Sequence, residues 1–294
     1  MRAPADDPFT AHRRLLFTVA YELLGSAADA EDVLQESWLR WAGVDRSQVR
    51  EPRAYLVRLV TRQALNHVRT VARRREDYVG EWLPEPLLTS PDVADDVELA
   101  ESISIAMLTV LETLGPAERA VFVLREVFDL PYDEIADAVG KTPAAVRQIA
   151  HRAKEHVSAR RPRVRVVRSE HEEVVERLII ALNSGDLQGL MDVLAPDVVS
   201  VADGGGKVRG AARRPIVGAE RLARYLVGGL AKTEGTLRAT RTWVNGLAGI
   251  RVELDGQLVG VVSPTVEDGR VTRIYTIANP DKLRRFDEEA AFSR

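Results

Sequence analysis

Two hydrophobic rhythms divide the chain: a three-to-four-residue spacing up to about residue 160, and a two-residue alternation that recurs through the remainder. Leu15, Leu16, Val19, Ala20 and Leu23 set the first helical stripe, and Gly25 offers the left-handed position that stops it. Ser26, followed three residues on by Asp29, resembles a capping box opening a helix through Val33, Leu34, Trp38 and Trp41. Pro52 suits the first turn of a long helix running to about Arg75, which completes a three-helix domain. Helical pattern resumes over 97–114, 116–128, 131–139 and 143–159, and the last three stretches each begin with proline.

After residue 168 the pattern mixes. Helical spacing covers 172–182, 187–194 and 219–230, while 198–201, 236–244, 249–254, 257–266 and 271–277 alternate as strands do. Asp255-Gly256 and Asp268-Gly269 are the expected hairpin turns. A few helices against a curved antiparallel sheet make an α+β domain. The expected organisation is 1–77, a proline-interrupted acidic linker at 78–96, 97–162, a basic linker at 163–169, and 170–294.

Composition adds limits. The 294 residues include no cysteine, which excludes disulfides, thiolate zinc sites and thiol catalysis. No apolar run reaches the roughly 18–20 residues that span a bilayer, and Met1–Pro8 lacks a signal-peptide pattern, so the expectation is a cytoplasmic protein with no membrane partner. The net charge of -3 hides segregation: residues 40–75 carry 10 basic and 2 acidic side chains, 76–137 carry 2 and 16, and 138–168 carry 9 and 1. Two basic blocks around an acidic one suit two polyanion contacts, although two solvated helix faces give the same count.

The second basic block has more than charge. Gly140 permits a turn, Thr142-Pro143 supplies a cap and first-turn proline, and Val146, Ile149, Ala150, Ala153 and Val157 form a buried stripe. The opposite face shows Arg147, Gln148, His151, Arg152 and Lys154. This is a helix-turn-helix pattern, in which Arg147 and Gln148 suit base edges while Lys141, Arg152 and Lys154 suit phosphates. Residues 114–136 and 142–153 resemble region four of an extracytoplasmic-function (ECF) RNA polymerase sigma factor, the module that reads the minus-35 promoter element in that family. The resemblance makes Lys141, Thr142, Arg147, Gln148, His151, Arg152 and Lys154 the minus-35 candidates.

Gly25–Trp41 resembles region two of the same family, which grips the clamp of the polymerase β′ subunit. Asp29, Asp32, Gln35 and Glu36 share a polar helix face, and Trp38 and Trp41 are candidate anchors; the alternative is two core tryptophans beside a solvated first turn. Pro52–Arg69 with the following arginines resembles the part that melts and reads the minus-10 element. Its candidates are Arg58, Arg62, Asn66, His67, Arg69, Arg73 and Arg74, because arginine neutralises phosphate and stacks on exposed bases while asparagine reads a base edge. Arg62 stands where many members have Asn, and Asn66 where Asp is common, which leaves the base preference open.

The C-terminal α+β segment resembles a SnoaL-like domain of the nuclear-transport-factor-like cone fold, and the combination resembles the sigma-J-like ECF group. Three strings carry that narrower match: Trp82-Leu-Pro-Glu-Pro-Leu87, Asp203-Gly-Gly-Gly-Lys207 and Asn279-Pro-Asp-Lys-Leu283. Trp82 beside Pro84, Glu85 and Pro86 reads as an exposed-linker anchor. Gly204, Gly205 and Gly206 with Lys207 form either a backbone anion or carboxylate nest or a plain glycine turn. Asn279, Pro280, Asp281, Lys282 and Leu283 are a docking segment or a strand stop with a helix cap. The resemblance implies a multidomain protein of two all-α sigma domains plus a SnoaL-like cone. It further implies partners in core RNA polymerase (β′ clamp and β flap) and promoter DNA, and regulation in cis by the C-terminal domain.

The rival reading is a helix-turn-helix regulator with a ligand-binding or cyclase-like catalytic C-terminal domain. Its acid–base candidates are thin: His171 at the domain's start, expected outside any cone, and the scattered Asp203, Arg241, Arg251 and Glu253. The expectation is therefore no enzyme, no cofactor and no metal, with a small-molecule ligand in the cone left open.

Overall fold

Caps set most of the helix boundaries in the first half of the chain. The computed structural model describes residues 7–76, 78–160 and 167–293. The chain forms two units, each assembled from separated stretches: 1–76, 107–161 and 291–294 make the first, 77–106 and 162–290 the second.

In the first unit Asp7 caps a short helix missing from the sequence expectation, α1 (Pro8–Ala11), its Oδ1 accepting from the Phe9 N–H at 2.8 Å. Helix α2 (Arg13–Leu24) stops at Gly25, whose φ of 67° is the left-handed cap expected there. Ser26 Oγ accepts from the Asp29 N–H at 3.2 Å and opens α3 (Ala27–Ala42). Pro52 opens α4 (Pro52–Glu76). Leu16, Val19, Ala30, Val33, Leu56, Val60 and Ala64 close the core between these helices.

The helix expected over 97–114 divides at Ser104, whose ψ of 147° is not helical. Its first half, α5 (Val97–Ile103), lies in the second unit; α6 (Ile105–Leu111) carries the chain back into the first. The stretch expected as a helix over 116–128 is α7 (Pro116–Phe122) followed by a π-helical turn at Val123–Val127. Then come α8 (Tyr132–Val139), Gly140 at φ 68°, and α9 (Pro143–Ser158). The last residues return to this unit, where the Phe292 ring sits 5.8 Å from both Phe17 and Tyr21 and the Ser293 N–H donates to Thr18 Oγ1 at 3.2 Å.

The second unit holds α10 (Arg168–Ser184), α11 (Leu187–Val193), β1 (Leu194–Asp203), β2 (Ile216–Val217), α12 (Ala219–Leu230), β3 (Leu237–Val244), β4 (Leu247–Leu254), β5 (Gln257–Glu267), β6 (Arg270–Ile277) and α13 (Pro280–Leu283). The sheet order is β2-β1-β6-β5-β4-β3, with β1 and β6 parallel and the other neighbours antiparallel. Asn245-Gly246, Asp255-Gly256 and Asp268-Gly269 have both residues at positive φ, the primed turns that match strand twist.

Both sheet faces are covered. Val262, Ile250, Ala248 and Ile274 face a cluster with Val174, Leu178, Leu190 and Leu222 from α10, α11 and α12. Their neighbours Val261, Tyr275, Ile277 and Val244 face the other way, into a cluster with Leu83, Ile105, Leu283 and Phe286. That explains why Val261–Val266 is buried throughout instead of alternating. The stretch read as a linker, 78–96, is a layer of this core. It has no regular strand, yet Leu83 to Leu87 are all buried, each large apolar side chain contributing about 1.5–3 kcal/mol. Leu88 also bridges to Val244, and the Thr89 N–H donates to the Trp243 carbonyl at 3.2 Å.

Candidate functional site

The helix-turn-helix starts from its cap. Thr142 Oγ1 accepts from the Ala145 N–H at 3.3 Å, and Val146, Ile149, Ala150, Ala153 and Val157 are buried as the spacing predicts. This orientation leaves Lys141, Thr142, Arg147, Gln148, His151, Arg152 and Lys154 exposed together. The Arg147 guanidinium lies 5.9 Å from the Tyr132 ring, Lys154 pairs with Glu126 at 2.7 Å, and His151 lies 3.5 Å from Glu155. The pairs are exposed, so a phosphate can displace each partner at little cost.

On α4, Leu56, Val57, Val60 and Ala64 face inward; Arg62, Asn66 and Arg69 are exposed. Arg58 is half-buried, its guanidinium 5.3 Å from the Tyr55 ring and 3.6 Å from the Asp137 carboxylate of α8. Arg62 donates to the Asp137 carbonyl at 2.5 Å. Two of the minus-10 candidates are thus engaged with the first helix of the helix-turn-helix. His67 lies 3.0 Å from Asp29 of α3, so one residue from each proposed surface of the three-helix domain is tied to the other. The side chains of Arg73 and Arg74 lie outside the described residues.

On α3, Asp32, Gln35 and Glu36 are exposed, and Trp38 lines a groove with Phe9, Arg13, Glu31 and Gln35. Trp41 is a correction: it is not a surface anchor but 1 % exposed core, its Nε1 donating to Asp7 Oδ1 at 2.9 Å and its ring 5.7 Å from Tyr55. It continues the stripe of Val33, Leu34 and Ser37. The apolar side chain on the polar face is instead Leu39, 60 % exposed and seven residues after Asp32; that heptad spacing was the available signal.

In the second unit the three short strings meet at one buried carboxylate. Asp203, at the end of β1, is fully buried and accepts from the Tyr78 hydroxyl at 2.5 Å, the Leu83 N–H at 2.9 Å, the Gly205 N–H at 3.0 Å and Lys282 Nζ at 2.7 Å. Lys282 also donates to the Leu83 carbonyl and lies 4.0 Å from the Trp82 ring centroid, so the aromatic face helps hold a cation that is nearly out of water. Asn279 donates to the Tyr78 oxygen at 2.8 Å, and its Oδ1 caps α13 by accepting from the Asp281 N–H at 3.1 Å. Burial first, then the Asp203 carboxylate, pushes the Tyr78 phenol well above its ordinary value of 10.

The glycines make a turn, closed by the Lys207 N–H donating to the Gly204 carbonyl at 3.0 Å, and the Gly205 N–H is the one that reaches the chain's own Asp203. Gly205 and Gly206 have φ of 58° and 71°, and a Cβ on Gly205 would sit 2.4 Å from Asn279 Nδ2, so only glycine fits. Lys207 pairs with Asp281, whose carboxyl that hydrogen bond holds below its usual range. Trp82, expected exposed, is half-buried, and Pro84, Glu85 and Pro86 are buried, because this segment closes the sheet face. A second clasp holds the segment further on: Asn245 Oδ1 accepts from the Leu87 N–H at 2.9 Å, and its Nδ2 donates to the Ile103 carbonyl at 2.8 Å.

The acid–base candidates do not converge. His171, expected outside any cone, is 2 % exposed on α10 with Nε2 2.8 Å from the Ala248 carbonyl, and burial lowers its pKa. Arg241 lies 3.4 Å from Glu172, and Arg251 pairs with Glu253 at 2.7 Å and with Asp287 at 2.5 Å. Aliphatic side chains fill the space between α10–α12 and the sheet.

Comparison with known proteins agrees with these arrangements. Residues 9–75 match the Sigma-70 region 2 family and residues 104–157 the Sigma-70, region 4 family. The ECF RNA polymerase sigma factor SigJ of Mycobacterium tuberculosis is 38 % identical over 292 residues, covering 94 % of this chain and 92 % of that protein. The probable ECF RNA polymerase sigma factor SigI of the same species is 31 % identical over 283 residues, 95 % of each chain. The crystal structure of SigJ superimposes with a TM-score of 0.74 at 36 % identity, over 94 % of this chain and 96 % of that one. Two helical sigma modules and an appended α+β domain, with SigJ matched over 94 % of the chain, place this chain in the family of ECF RNA polymerase sigma factors.

Proposed function

We propose that this chain binds core RNA polymerase and directs promoter-specific initiation, with α9 reading the minus-35 element, α4 reading and holding the melted minus-10 strand, and the outer face of α3 engaging the β′ clamp. The helix-turn-helix module also meets the β flap. The observation that carries the reading is the exposed basic face of α9 behind its Thr142–Pro143 cap. Arg147 and Gln148 stand in the first two turns, where a recognition helix meets base edges. Arg62, Asn66 and Arg69 are available to an unstacked strand, and Arg58 and Arg62 must exchange Asp137 for DNA. Asp32, Gln35, Glu36 and Leu39 supply the polymerase face, an apolar anchor within a polar rim.

The C-terminal domain acts as a regulator in cis, not as a catalyst, and the reading needs no small-molecule ligand. Residues 77–106 connect the two sigma modules along the chain, yet they belong to the second unit, clasped by Asp203, Lys282 and Asn245. Any change in the path of that connection has to break those bonds. The test is transcription in vitro from the gene's own upstream promoter with core polymerase and either the wild-type chain or Lys282→Met. A specific transcript that depends on the chain, made in a different amount by Lys282→Met, is the expected result. No transcript from either form refutes the initiation role; equal yields refute the regulatory one.

A further inference from the structure

The charge balance of the C-terminal domain is itself segregated. Residues 204–224 hold six basic side chains, Lys207, Arg209, Arg213, Arg214, Arg221 and Arg224, against the single carboxylate of Glu220, while the domain as a whole is close to neutral. All six are exposed. Lys207 is committed to Asp281, and Arg224 to Glu220 at 2.6 Å. Among the described residues Arg209, Arg213, Arg214 and Arg221 make no ion pair or hydrogen bond.

Structure joins these residues into one surface. Leu222 and Ala223 turn into the core, so Arg221, Arg224 and Tyr225, at i, i+3 and i+4, share the outer face of α12. The Tyr225 hydroxyl donates to the Gly210 carbonyl at 2.6 Å, which fastens the loop carrying Arg209, Arg213 and Arg214 to that same helix face. Gly210 takes φ 87° to make the loop's bend. Such a concentration of unpaired guanidinium groups is self-repelling, and nothing in the fold's own packing uses it.

We propose that this loop-and-helix surface is a third DNA contact, binding the phosphate backbone of duplex promoter DNA without reading its sequence. The inference rests on the proposed promoter-binding function. Once α4 and α9 hold a promoter, a cationic surface tethered to them is kept at high effective concentration near the same duplex, and wherever it reaches the backbone a phosphate contact too weak to act alone adds to affinity. Arginine forks suit phosphate oxygens bidentately, and four of them come without an internal partner to displace.

The test titrates holoenzyme, formed from core polymerase and the full chain, onto a fluorescent promoter duplex between about 50 and 300 mM salt. It compares wild type with R209Q/R213Q/R214Q/R221Q, with R213Q/R214Q, and with Arg147→Ala as a helix-turn-helix control. Each lost phosphate contact makes the log–log salt slope shallower by about 0.9, so the quadruple variant is expected to lose about 2–4 from the slope and about tenfold in affinity, the double variant about half the slope change. An unchanged slope beside a weakened Arg147→Ala overturns the proposal and leaves the promoter-binding function standing. Failure of wild-type holoenzyme to bind the duplex overturns both. A quadruple variant that binds duplex normally but loses a 20-nucleotide single-stranded RNA, or vesicles containing phosphatidylglycerol, overturns the assignment to DNA. All four substituted side chains are exposed, and an unchanged melting temperature in each variant ties its effect to charge.

Discussion

Replacing Asp203 by alanine is the sharpest perturbation of the second unit. The substitution leaves Lys282 Nζ, 12 % exposed, without its carboxylate, and removes the acceptor of the Leu83 and Gly205 N–H groups and of the Tyr78 hydroxyl. Breaking a buried ion pair from one side costs about 3–5 kcal/mol, and each orphaned buried donor about 1–3 kcal/mol. These terms share atoms and do not add fully, so about 5 kcal/mol is expected. For a unit of this size that is a fall in melting temperature of about 10–20 °C. Amide hydrogen exchange locates the loss: Leu83 and Gly205 exchange faster, while Leu87, held by Asn245, follows only the global change. Asp203→Asn keeps an acceptor for Leu83 and should cost less, which keeps the test informative if the alanine variant fails to fold. Asp287→Ala, which removes an exposed partner of Arg251, should cost under about 1 kcal/mol. If Asp203→Ala melts within about 1 kcal/mol of wild type and Leu83 exchanges no faster, the carboxylate does not hold the segment.

Trp41→Ala should destabilise the first unit by about 3–5 kcal/mol in thermal unfolding, whereas Leu39→Asp should leave stability within about 0.5 kcal/mol and weaken capture by immobilised core polymerase. Arg147→Ala should reduce discrimination between promoter and a minus-35 mutant by about 1–3 kcal/mol, read from competitive transcription. His171 stays neutral in the fold because its pKa is lowered, so the unfolded chain takes up a proton below the ordinary value of 6.5 that the buried ring refuses. Its contribution is complete above pH 6.5 and declines as pH falls below it; denaturant midpoints for wild type and His171→Gln should diverge in sensitivity as pH falls below 6.5.

The helix-turn-helix was legible because its signals are local: Gly140, Thr142-Pro143 and the buried stripe of α9 lie within one short stretch and agree. The sheet was partly legible. Strand β1 begins at Leu194, earlier than alternation suggests, because Pro196 and Asp197 sit in an irregular stretch between the paired Leu194 and Val199. The Asn245-Gly246 turn carried a readable signal that the expectation did not use. What sequence could not give was the fate of 78–96. Proline and carboxylates do disfavour a helix there, and a single 3-10 stretch at Pro91–Asp95 is what forms among the described residues, but lack of regular structure is not exposure. The partners that bury Leu83 and Glu85's neighbours lie more than a hundred residues away, in Asp203, Asn245 and Lys282. Trp41 was not separable from Trp38 for a related reason: α3 places Trp41 on the core stripe and leaves Trp38 at a groove, and only the fold distinguishes an anchor from a core residue.

The interleaving of the two units has a consequence for how this protein can be taken apart. Each unit enters, leaves and re-enters the chain, so no single peptide-bond cleavage releases either one whole. A truncation after residue 160 deletes the sheet but leaves its covering layer behind, baring Leu83, Leu87 and Ile105, which the full chain keeps under 5 % exposed. Such a fragment is a new polypeptide with an adhesive apolar strap between its DNA-reading modules, and its behaviour reports that strap as much as the absence of a regulator. A recombination event that transplants the appended domain onto another sigma factor must carry two separate segments of gene, 77–106 and the C-terminal stretch, or deliver a sheet with one face unclothed.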